Sequence, residues 1–339
     1  MKFEPKSVDI NGKSILITGG TGSFGQAFAR KLLDAYSPKR VIIFSRDEYK
    51  QYVMQQSFAE SKYPNIRFFI GDIRDKDRLT MALQDVDIVV HAAAMKHVPA
   101  SEYNPFECIH TNVIGAENLV KACIASRVKQ VLALSTDKAA NPVNLYGASK
   151  LASDKIFVAA NSLSRSTGTR FSIVRYGNVL GSRGSVVPFF KKLINEGKDV
   201  LPITDSRMTR FWITLEQGVN FVLSSLEMIR AGEIFVPKIP SMKITELAEA
   251  MAPGIKQEIV GIRPGEKIHE IMITEADSLS TTELPDRYVI EPIFATWYRK
   301  SFHEEGYPRV IEGFHYSSDT NEEWLDADEL RSMLEEEGI

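Results

Sequence analysis

The sequence predicts an α/β protein built on a doubly wound parallel sheet, with a smaller mixed α/β substrate-binding domain. Three observations indicate this fold. Short β-rich runs alternate with helical patterns over the first half of the chain, which is typical of right-handed βαβ units. The runs are almost continuously apolar, as in strands that are buried on both faces. The first run leads into the glycine-rich turn TGGTGSFG, so the sheet is expected to be of the Rossmann type.

The elements of the sheet follow one another in a regular order. Strands are predicted at 14–18, 41–45, 67–71, 87–92, 130–135 and 171–177. Helices are predicted at 77–84, 106–124 and 145–162, the first of them capped by Asp75. Prolines interrupt the pattern after residue 177. Residues 1–177 are therefore expected to form the dinucleotide-binding domain, with 213–236 returning to it, and 178–212 and 237–339 the substrate-binding domain.

Composition argues against several classes of protein. The 339 residues are 44% hydrophobic and 25% charged with a net charge of −3, so no basic excess favours nucleic acid or an anionic membrane. No run approaches the roughly 20 apolar residues of a membrane span, and no apolar leader is present at the N-terminus. Cys108 and Cys123 fall roughly 22 Å apart along one predicted helix, which prevents a disulfide within it. We expect a cytoplasmic protein, and the spacing of its histidines predicts no metal site.

The turn after the first strand is the first candidate binding site. Glycines at positions 19, 22 and 25 allow a tight turn and the close approach of a pyrophosphate, and the following helix N-terminus offers free N–H donors. An ordinary tight βα turn is the alternative interpretation. The residues expected to contact a dinucleotide here are Gly19, Thr21, Gly22, Ser23, Phe24 and Gly25.

The end of the second strand favours NADP over NAD. Ser45 and Arg46 precede Asp47, with Lys50 one turn further on. A hydroxyl and a guanidinium suit a 2′-phosphate, which Arg can bind with two hydrogen bonds. An acid at this position is typical of NAD sites, but Asp47 could equally cap the next helix.

Other residues at strand ends are expected to complete the dinucleotide site. Asp72 and Ile73 follow the third strand and are placed to meet the adenine, although Asp72 could simply form a turn. The small residues after the fourth strand could lie against the nicotinamide ribose. The further dinucleotide contacts that we predict are Ala92, Ala93, Ala94, Lys96, Tyr146, Lys150, Tyr176 and Asn178.

The segment STDKAANPVNLYGASK carries the candidate catalytic residues. Thr136, Asp137 and Lys138 follow the fifth strand, at the carboxyl edge where such sheets bind ligands. Tyr146 and Lys150 are four residues apart and share one helix face. An ammonium beside a phenol lowers its pKa from about 10, which gives a base for a hydroxyl proton. A surface ion pair between Asp137 and Lys138 is the alternative interpretation.

On these residues the chain resembles the extended short-chain dehydrogenase/reductase superfamily. With RYGNVLGSRGSVVPFF, PITDSRMTRFWIT, GEIFVPKIPSMK and GIRPGEKIHE, nearly the whole chain is similar to the inverting UDP-N-acetylglucosamine 4,6-dehydratases. The resemblance implies a hydro-lyase that acts on UDP-N-acetylglucosamine with recycled NADP, at the start of pseudaminic acid biosynthesis. It also implies a homo-oligomer, either a dimer or a hexamer.

The resemblance also implies a role for each catalytic residue. Lys138 would remove the C5 proton and Asp137 would protonate the departing O6. Tyr146 would take the O4 proton first and later return a proton to C5 from the opposite face. Such a base must be neutral, so we expect burial and the nearby Lys150 to lower the pKa of Lys138.

The substrate-binding residues implied by the resemblance lie mostly in the second half of the chain. Asn178 would donate to the diphosphate, and the helix start at GSVV would offer amides. Lys96 and His97 would line the sugar pocket. The other substrate contacts are Val186, Thr204, Asp205, Met208, Thr209, Arg210, Arg263 and Glu266.

Three other functions remain open from the sequence. A retaining UDP-sugar 4,6-dehydratase and a C4 epimerase would use the same fold and the same Tyr146. A catalytically inactive NADP-binding redox sensor is the non-enzymatic alternative. The full set of Asp137, Lys138, Tyr146 and Lys150 argues against the sensor, which has no use for it.

Overall fold

The fold is described by a computed structural model that covers residues 3–182, 184–295, 297 and 299–338. Arg183, in the predicted glycine-rich segment, lies outside the described residues. In the described part of the chain the strands are β1 (Ser14–Thr18), β2 (Arg40–Ser45), β3 (Ile66–Ile70), β4 (Ile88–His91), β5 (Gln130–Thr136), β6 (Arg170–Tyr176), β7 (Asn178–Val179), β8 (Val200–Ile203), β9 (Thr209–Ile213), β10 (Ile234–Pro237), β11 (Ser241–Lys243), β12 (Lys256–Ile259), β13 (Ile271–Ile273), β14 (Thr281–Glu283), β15 (Arg287–Ile290) and β16 (Tyr316–Ser317).

The helices of the described residues lie mainly between the parallel strands. They are α1 (Ser23–Ala35), α2 (Glu48–Ser57), α3 (Lys76–Ala82), α4 (Val98–Tyr103), α5 (Pro105–Ile109), α6 (Gly115–Ala125), α7 (Leu145–Leu163), α8 (Val186–Asn195), α9 (Leu215–Met228), α10 (Ile244–Met251), α11 (Glu275–Ser278) and α12 (Ala327–Glu336). A π-helical turn, His110–Ile114, joins α5 to α6. Short 3₁₀ turns occupy Asp137–Ala139 and His303–Glu305. Asp75 caps α3, as predicted.

The central sheet has nine strands in the order β14-β15-β10-β6-β5-β4-β1-β2-β3. The strands from β6 to β3 are parallel, and each predicted strand is confirmed to within one residue at each end. The order 3-2-1-4-5-6 is that of the Rossmann fold. Strand β10 adds to β6 in parallel, whereas β15 and β14 follow in antiparallel pairs.

Among the described residues, the buried hydrophobic side chains form two clusters, a larger one and a smaller one. The large core surrounds the central sheet, and residues 271–302 contribute to it. The prediction had assigned this range to the second domain, but β14 and β15 place part of it in the main sheet. The small core packs α8, α10 and α12 around the buried Trp212.

The predicted helix over 106–124 is continuous, with the π-helical turn in its middle. Within that turn the Asn112 side chain hydrogen-bonds the backbone N–H and carbonyl of Met95 at 2.8 and 2.9 Å.

Cys108 and Cys123 are buried free thiols. Among the described residues, no helix combines the length and apolar character that crossing a membrane requires.

Candidate active site

A cavity of about 1270 Å³ opens at the carboxyl edge of the parallel sheet. Its walls include residues that end or follow each of the strands β1 to β6. The loops before α8 and after β12 close its other side. The sequence placed its candidate site at this edge, and most of the predicted residues meet in the one cavity.

All the predicted dinucleotide contacts line this cavity. Those beside β1 and β2 are Gly19, Thr21, Gly22, Ser23, Phe24, Gly25, Ser45, Arg46, Asp47 and Lys50. Those beside β3 to β7 are Asp72, Ile73, Ala92, Ala93, Ala94, Lys96, Tyr146, Lys150, Tyr176 and Asn178. They extend along the carboxyl edge of the parallel strands from β3 to β6.

The turn after β1 has the shape of a pyrophosphate cradle. Gly19 has a φ of +65°, and a Cβ atom there would lie 2.8 Å from the Cα of Ala93. Only glycine satisfies both conditions. The N-cap of α1 is Gly22, so no N-cap side chain accepts from the first turn, and that turn is suited to an anion. These residues fit a dinucleotide phosphate.

At the end of β2, the Asp47 carboxylate is engaged within its own helix. It accepts from the N–H of Lys50 at 2.9 Å and pairs with the Lys50 ammonium at 3.3 Å. These contacts lower the pKa of Asp47. Arg46 is exposed and lines the cavity, whereas the Ser45 hydroxyl is buried and accepts from Gln51. The capping role that the sequence left open for Asp47 is therefore realised.

Asp72 forms a turn and also lines the cavity, so both interpretations of it are compatible with the structure. Its carboxylate accepts from the N–H of Arg74 at 2.9 Å and from the Arg74 guanidinium at 2.7 Å. Burial opposes the charge, but the bonds from Arg74 lower the pKa of Asp72 overall.

The Asp137–Lys138 pair is partly buried rather than a surface ion pair. The Asp137 side chain is 1% exposed, and its Oδ1 accepts from the Thr136 hydroxyl at 2.8 Å and from Lys138 Nζ at 3.1 Å. Thr136 and Lys138 line the cavity and Asp137 does not. The sequence predicted that the Asp137 side chain would face the cavity, but Thr136 and Lys138 lie between it and the cavity.

A second carboxylate, Glu270, completes the surroundings of Lys138. Its Oε1 lies 3.2 Å from Lys138 Nζ, and its side chain is 2% exposed. Burial disfavours the ammonium, but Asp137 and Glu270 together outweigh this effect and raise the pKa of Lys138 above its ordinary value. The expectation of a lysine made neutral by burial and by Lys150 is therefore wrong for the protein itself.

The pKa of Tyr146 also differs from the expectation. Burial raises it to about 12, although Lys138 and a hydrogen bond to Thr136 act to lower it. The ammonium of Lys150 donates instead to the Leu134 carbonyl at 2.8 Å, and burial lowers its pKa. The cation that lowers the pKa of the Tyr146 phenol is thus Lys138, because the Lys150 side chain of α7 reaches the end of β5 instead.

Helix α7 packs tightly against the Asp137–Lys138 turn. A Cβ atom at Gly147 would collide with the carbonyl of Lys138. Asn144 caps the helix by accepting from the N–H of Gly147 at 2.7 Å. The close approach brings Tyr146 to the same part of the cavity as Lys138.

Most of the predicted substrate residues line the other half of the cavity. These are Lys96, His97, Asn178, Val186, Thr204, Met208, Arg210, Arg263 and Glu266. Arg263 is exposed and lies 3.9 Å from Glu266. The guanidinium of Arg210 is instead buried and donates to the backbone carbonyls of Thr209, Lys267 and Ile268. Arg263 is thus better placed for a phosphate than Arg210.

Two predicted substrate contacts lie outside the cavity. Asp205 pairs with Arg207 at 2.8 Å, and the hydrogen bonds from Arg207 lower the pKa of Asp205 to about 2. The Thr209 hydroxyl bonds to His269 and Ser318 and faces a separate surface cleft. Neighbouring β-strand residues point to opposite faces, so the motif containing Thr209 and Arg210 cannot place both in one site.

Comparisons with known proteins agree with this geometry. A family model described as polysaccharide biosynthesis protein matches residues 15–292. The inverting UDP-N-acetylglucosamine 4,6-dehydratase of Campylobacter jejuni serotype O:23/36 is 58% identical over 96% of this chain and 98% of its own. The chain belongs to the family of inverting UDP-N-acetylglucosamine 4,6-dehydratases.

Other relatives of this dehydratase family share the fold but differ in name. A UDP-glucose 4-epimerase of Rickettsia canadensis is 40% identical over 95% of both chains. Among solved structures, Pen from Bacillus thuringiensis has a TM-score of 0.88 and 39% identity, covering 97% of this chain and 99% of its own. DesIV of Streptomyces venezuelae is a dTDP-glucose 4,6-dehydratase solved with NAD and TYD bound. It has a TM-score of 0.66 and 28% identity, covering 75% of this chain and 86% of its own.

Three residues of the site, Glu270, Lys267 and Asn144, were not predicted from the sequence. Lys267 donates to the Ala140 carbonyl at 2.7 Å, and Asn144 donates to the Gly265 carbonyl at 2.7 Å. Glu270 and Lys267 stand in the quoted segment GIRPGEKIHE, so a signal was present. The role of this segment depends on its contacts with residues 137–144. These contacts are distant in sequence, so the spacing of residues within the segment does not predict them.

Proposed function

We propose that the protein is a hydro-lyase that removes water across C5 and C6 of UDP-N-acetylglucosamine and inverts C5. The observation that carries the proposal is the position of Lys138, which lines the cavity beside Tyr146 and contacts Asp137. An epimerase needs one acid–base group at O4, whereas dehydration needs further groups at C5 and O6. The 58% identity to the C. jejuni dehydratase supports the same conclusion.

We propose NADP as the recycled cofactor. When bound, it would supply an acceptor for a hydride from the sugar and later a donor that returns this hydride. The glycine turn would hold the pyrophosphate, and the exposed Arg46 would bind the 2′-phosphate. Because the Asp47 carboxylate is engaged by Lys50, it is a poor partner for ribose hydroxyls.

The protein's own groups handle the protons of the reaction. Tyr146 takes the O4 proton, and the resulting C4 ketone acidifies the C5 proton. Lys138, once it has given up a proton, removes the C5 proton, and a proton then passes from Lys138 through the Asp137 carboxylate to the departing O6. Thr136 lines the cavity and bonds to the Asp137 carboxylate, so it is placed to relay that proton. Tyr146 returns a proton to C5 from the face opposite Lys138.

We propose that the diphosphate and uridine lie in the half of the cavity beyond Tyr146. Arg263 and Lys96 are exposed cations on its wall, and Asn178 can donate from β7. The first turn of α8 has no side-chain cap, which leaves its backbone donors suited to an anion. His97 contacts the Gly184 loop and would border the sugar with Val186, Thr204, Met208 and Glu266.

Epimerisation at C4 is the second candidate, because the Rickettsia relative bears that name. Incubation with UDP-N-acetylglucosamine separates the two reactions. Dehydration gives a 4-keto-6-deoxy sugar that has lost one water, whereas epimerisation gives an isomer of unchanged mass. A product of unchanged mass would refute the proposal, and absence of any turnover would favour the redox sensor. The dehydration product fits the first step of pseudaminic acid biosynthesis, and we propose a cytoplasmic homo-oligomer for that step.

A further inference from the structure

Glu270 is the second carboxylate at Lys138, and no role has yet been given to it. Its Oε1 lies 3.2 Å from Lys138 Nζ, nearly as close as the 3.1 Å of Asp137 Oδ1. The two carboxylates come from distant parts of the chain, one after β5 and one before β13. The Lys138 ammonium thus contacts both of them.

The backbone at Glu270 is held in place without its carboxylate. Its N–H donates to the Ser318 hydroxyl at 2.9 Å, and its carbonyl accepts from the Ser318 N–H at 2.8 Å. The carboxylate itself faces three cations. These are Lys138, Lys267 at 3.7 Å and Arg210 at 3.8 Å.

The other oxygen of this carboxylate is free to carry a proton. Among the described residues, Oε2 of Glu270 is buried and has no hydrogen-bond partner, because the 3.7 Å to Lys267 is too long for one. Lys267 Nζ also donates to the Ala140 carbonyl, and the two terminal nitrogens of Arg210 donate to backbone carbonyls.

We propose that Glu270 is a positioning residue that takes the proton of Lys138 when the neutral amine is needed. The proposal rests on the dehydration proposed above. An N–H bond of Lys138 breaks, an O–H bond forms on Glu270, and the nitrogen keeps the electron pair. That pair takes the C5 proton, and the electrons of the C5–H bond enter the enolate of the C4 ketone.

The cluster returns to its starting state when water leaves. Lys138, again an ammonium, passes a proton through Asp137 to O6 as the C6–O6 bond breaks and the C5–C6 double bond forms. Glu270 then gives its proton back to Lys138. The C5 proton has moved to the leaving water, and no oxidant or reductant enters these steps.

The proposal predicts a particular dependence of kcat on pH. Lys138 faces Asp137, Glu270, Arg210 and Tyr146, and Glu270 also faces Lys267. In the wild type the proton moves only between Lys138 and Glu270, so kcat should not change with pH across the neutral range. With Glu270→Gln the amide cannot take the proton, and Asp137 is used in the same cycle to pass a proton to O6, so Lys138 must release its own proton to solvent. The amine fraction, and with it kcat, should then rise about tenfold per pH unit below the pKa of Lys138.

The experiment measures water loss and C5 exchange from about pH 6 to about pH 9 for the wild type, Glu270→Gln and Glu270→Asp. We expect Glu270→Gln to lower kcat at least tenfold at neutral pH, with a rising profile and KM within about twofold. Glu270→Asp keeps a carboxylate and should restore a level profile at reduced kcat. The control is Glu233→Gln, which removes a buried carboxylate that pairs with Arg299 and should leave the profile level.

The results separate this proposal from the proposed function. A Glu270→Gln enzyme with a level profile would overturn the role of Glu270 while the wild type still dehydrates. If Glu270→Gln does not fold, a rising profile in Glu270→Asp would overturn the role instead, because a carboxylate is still present. A wild type that releases no water from UDP-N-acetylglucosamine would overturn the proposed function, and this inference with it.

Discussion

Asn144 donates from Nδ2 to the carbonyl of Gly265 at 2.7 Å, while its Oδ1 accepts from the N–H of Gly147 at 2.7 Å. One side chain therefore caps the helix of Tyr146 and holds the segment that carries Arg263 and Glu270. Lys267 adds a second bond between the two parts, to the Ala140 carbonyl. The proposed catalytic and substrate-binding parts are thus connected directly.

Asn144→Ala should lower stability and weaken substrate binding. Loss of the helix cap costs about 1 kcal/mol, and loss of the second hydrogen bond costs about as much again. Asn144→Asp is the matched variant, because it keeps the capping oxygen but cannot donate to Gly265. Urea unfolding should show most of the cap energy restored in Asn144→Asp, whereas its KM should stay raised. A normal KM in both variants would contradict a role for this bond in the site.

Arg46→Ala should weaken NADP binding and leave NAD binding nearly unchanged. A charge-assisted hydrogen bond to phosphate contributes about 1.5–3 kcal/mol, which corresponds to at least roughly a tenfold change in Kd. Calorimetric titration with each dinucleotide measures this difference. Arg67→Ala is the control, because Arg67 is exposed and bonds to nearby backbone carbonyls. Equal losses for NADP and NAD in Arg46→Ala would refute the proposed recognition of the 2′-phosphate.

Lys138→Ala should abolish C5 exchange and dehydration but leave dinucleotide binding intact. The dinucleotide is expected to bind mainly on the glycine turn and near Arg46, and Lys138 is not among its predicted contacts. Lys138→Arg is the sharper variant, since it keeps a cation between Asp137 and Glu270 but cannot lose its proton at working pH. Deuterium incorporation at C5, followed by mass spectrometry, measures the result. Near-normal exchange in Lys138→Arg would remove Lys138 as the base.

His91 should make the protein less stable at mildly acidic pH. Burial, with a smaller effect of Lys150, lowers its pKa to about 3 from 6.5, and its ring bonds to the Thr18 hydroxyl at 2.7 Å. The unfolded chain therefore binds a proton that the folded protein does not. The stability contributed by the neutral ring is fully present above about pH 6.5 and is lost toward pH 3, at about 1.4 kcal/mol per unit.

His91→Asn provides the test, because an amide can still bond to Thr18 but does not titrate. Between about pH 6 and about pH 5 the wild type should lose about 1 kcal/mol more unfolding free energy than this variant. Urea unfolding at the two pH values measures the difference. Identical losses in both proteins would show that His91 is not the group responsible.

Much of the sheet could be predicted because strands that are buried on both faces, as most of β1 to β6 are, have continuously apolar sequences. The runs that became β1 to β6 are nearly all apolar, and each was located to within one residue. Strands β10, β14 and β15 were not recognised as strands of the same sheet, although 213–236 was expected to return to it. They are short, and their place in the sheet depends on long-range pairing of β10 with β6, of β15 with β10 and of β14 with β15.

The location of the candidate site could be predicted from the sequence, but the charge states of its residues could not. Parallel strand ends meet at one edge, which was enough to collect Gly19, Arg46 and Tyr146 in one cavity. The charge state of Lys138 could not be inferred, since it depends on Glu270, which is remote in sequence. Thr209 was wrongly predicted to contact the substrate for a related reason. The segment PITDSRMTRFWIT does not reveal which face of β9 is turned to the cavity.

The reaction in heavy water tests whether Lys138 and Tyr146 act on opposite faces of C5. UDP-N-acetylglucosamine is converted in deuterated buffer, and the first product is followed by proton NMR. The account predicts one solvent deuteron at C5 and inverted configuration there, which is the L-arabino 4-keto-6-deoxy sugar. A D-xylo sugar as the first product would mean that one face carries both proton transfers, and it would contradict the account.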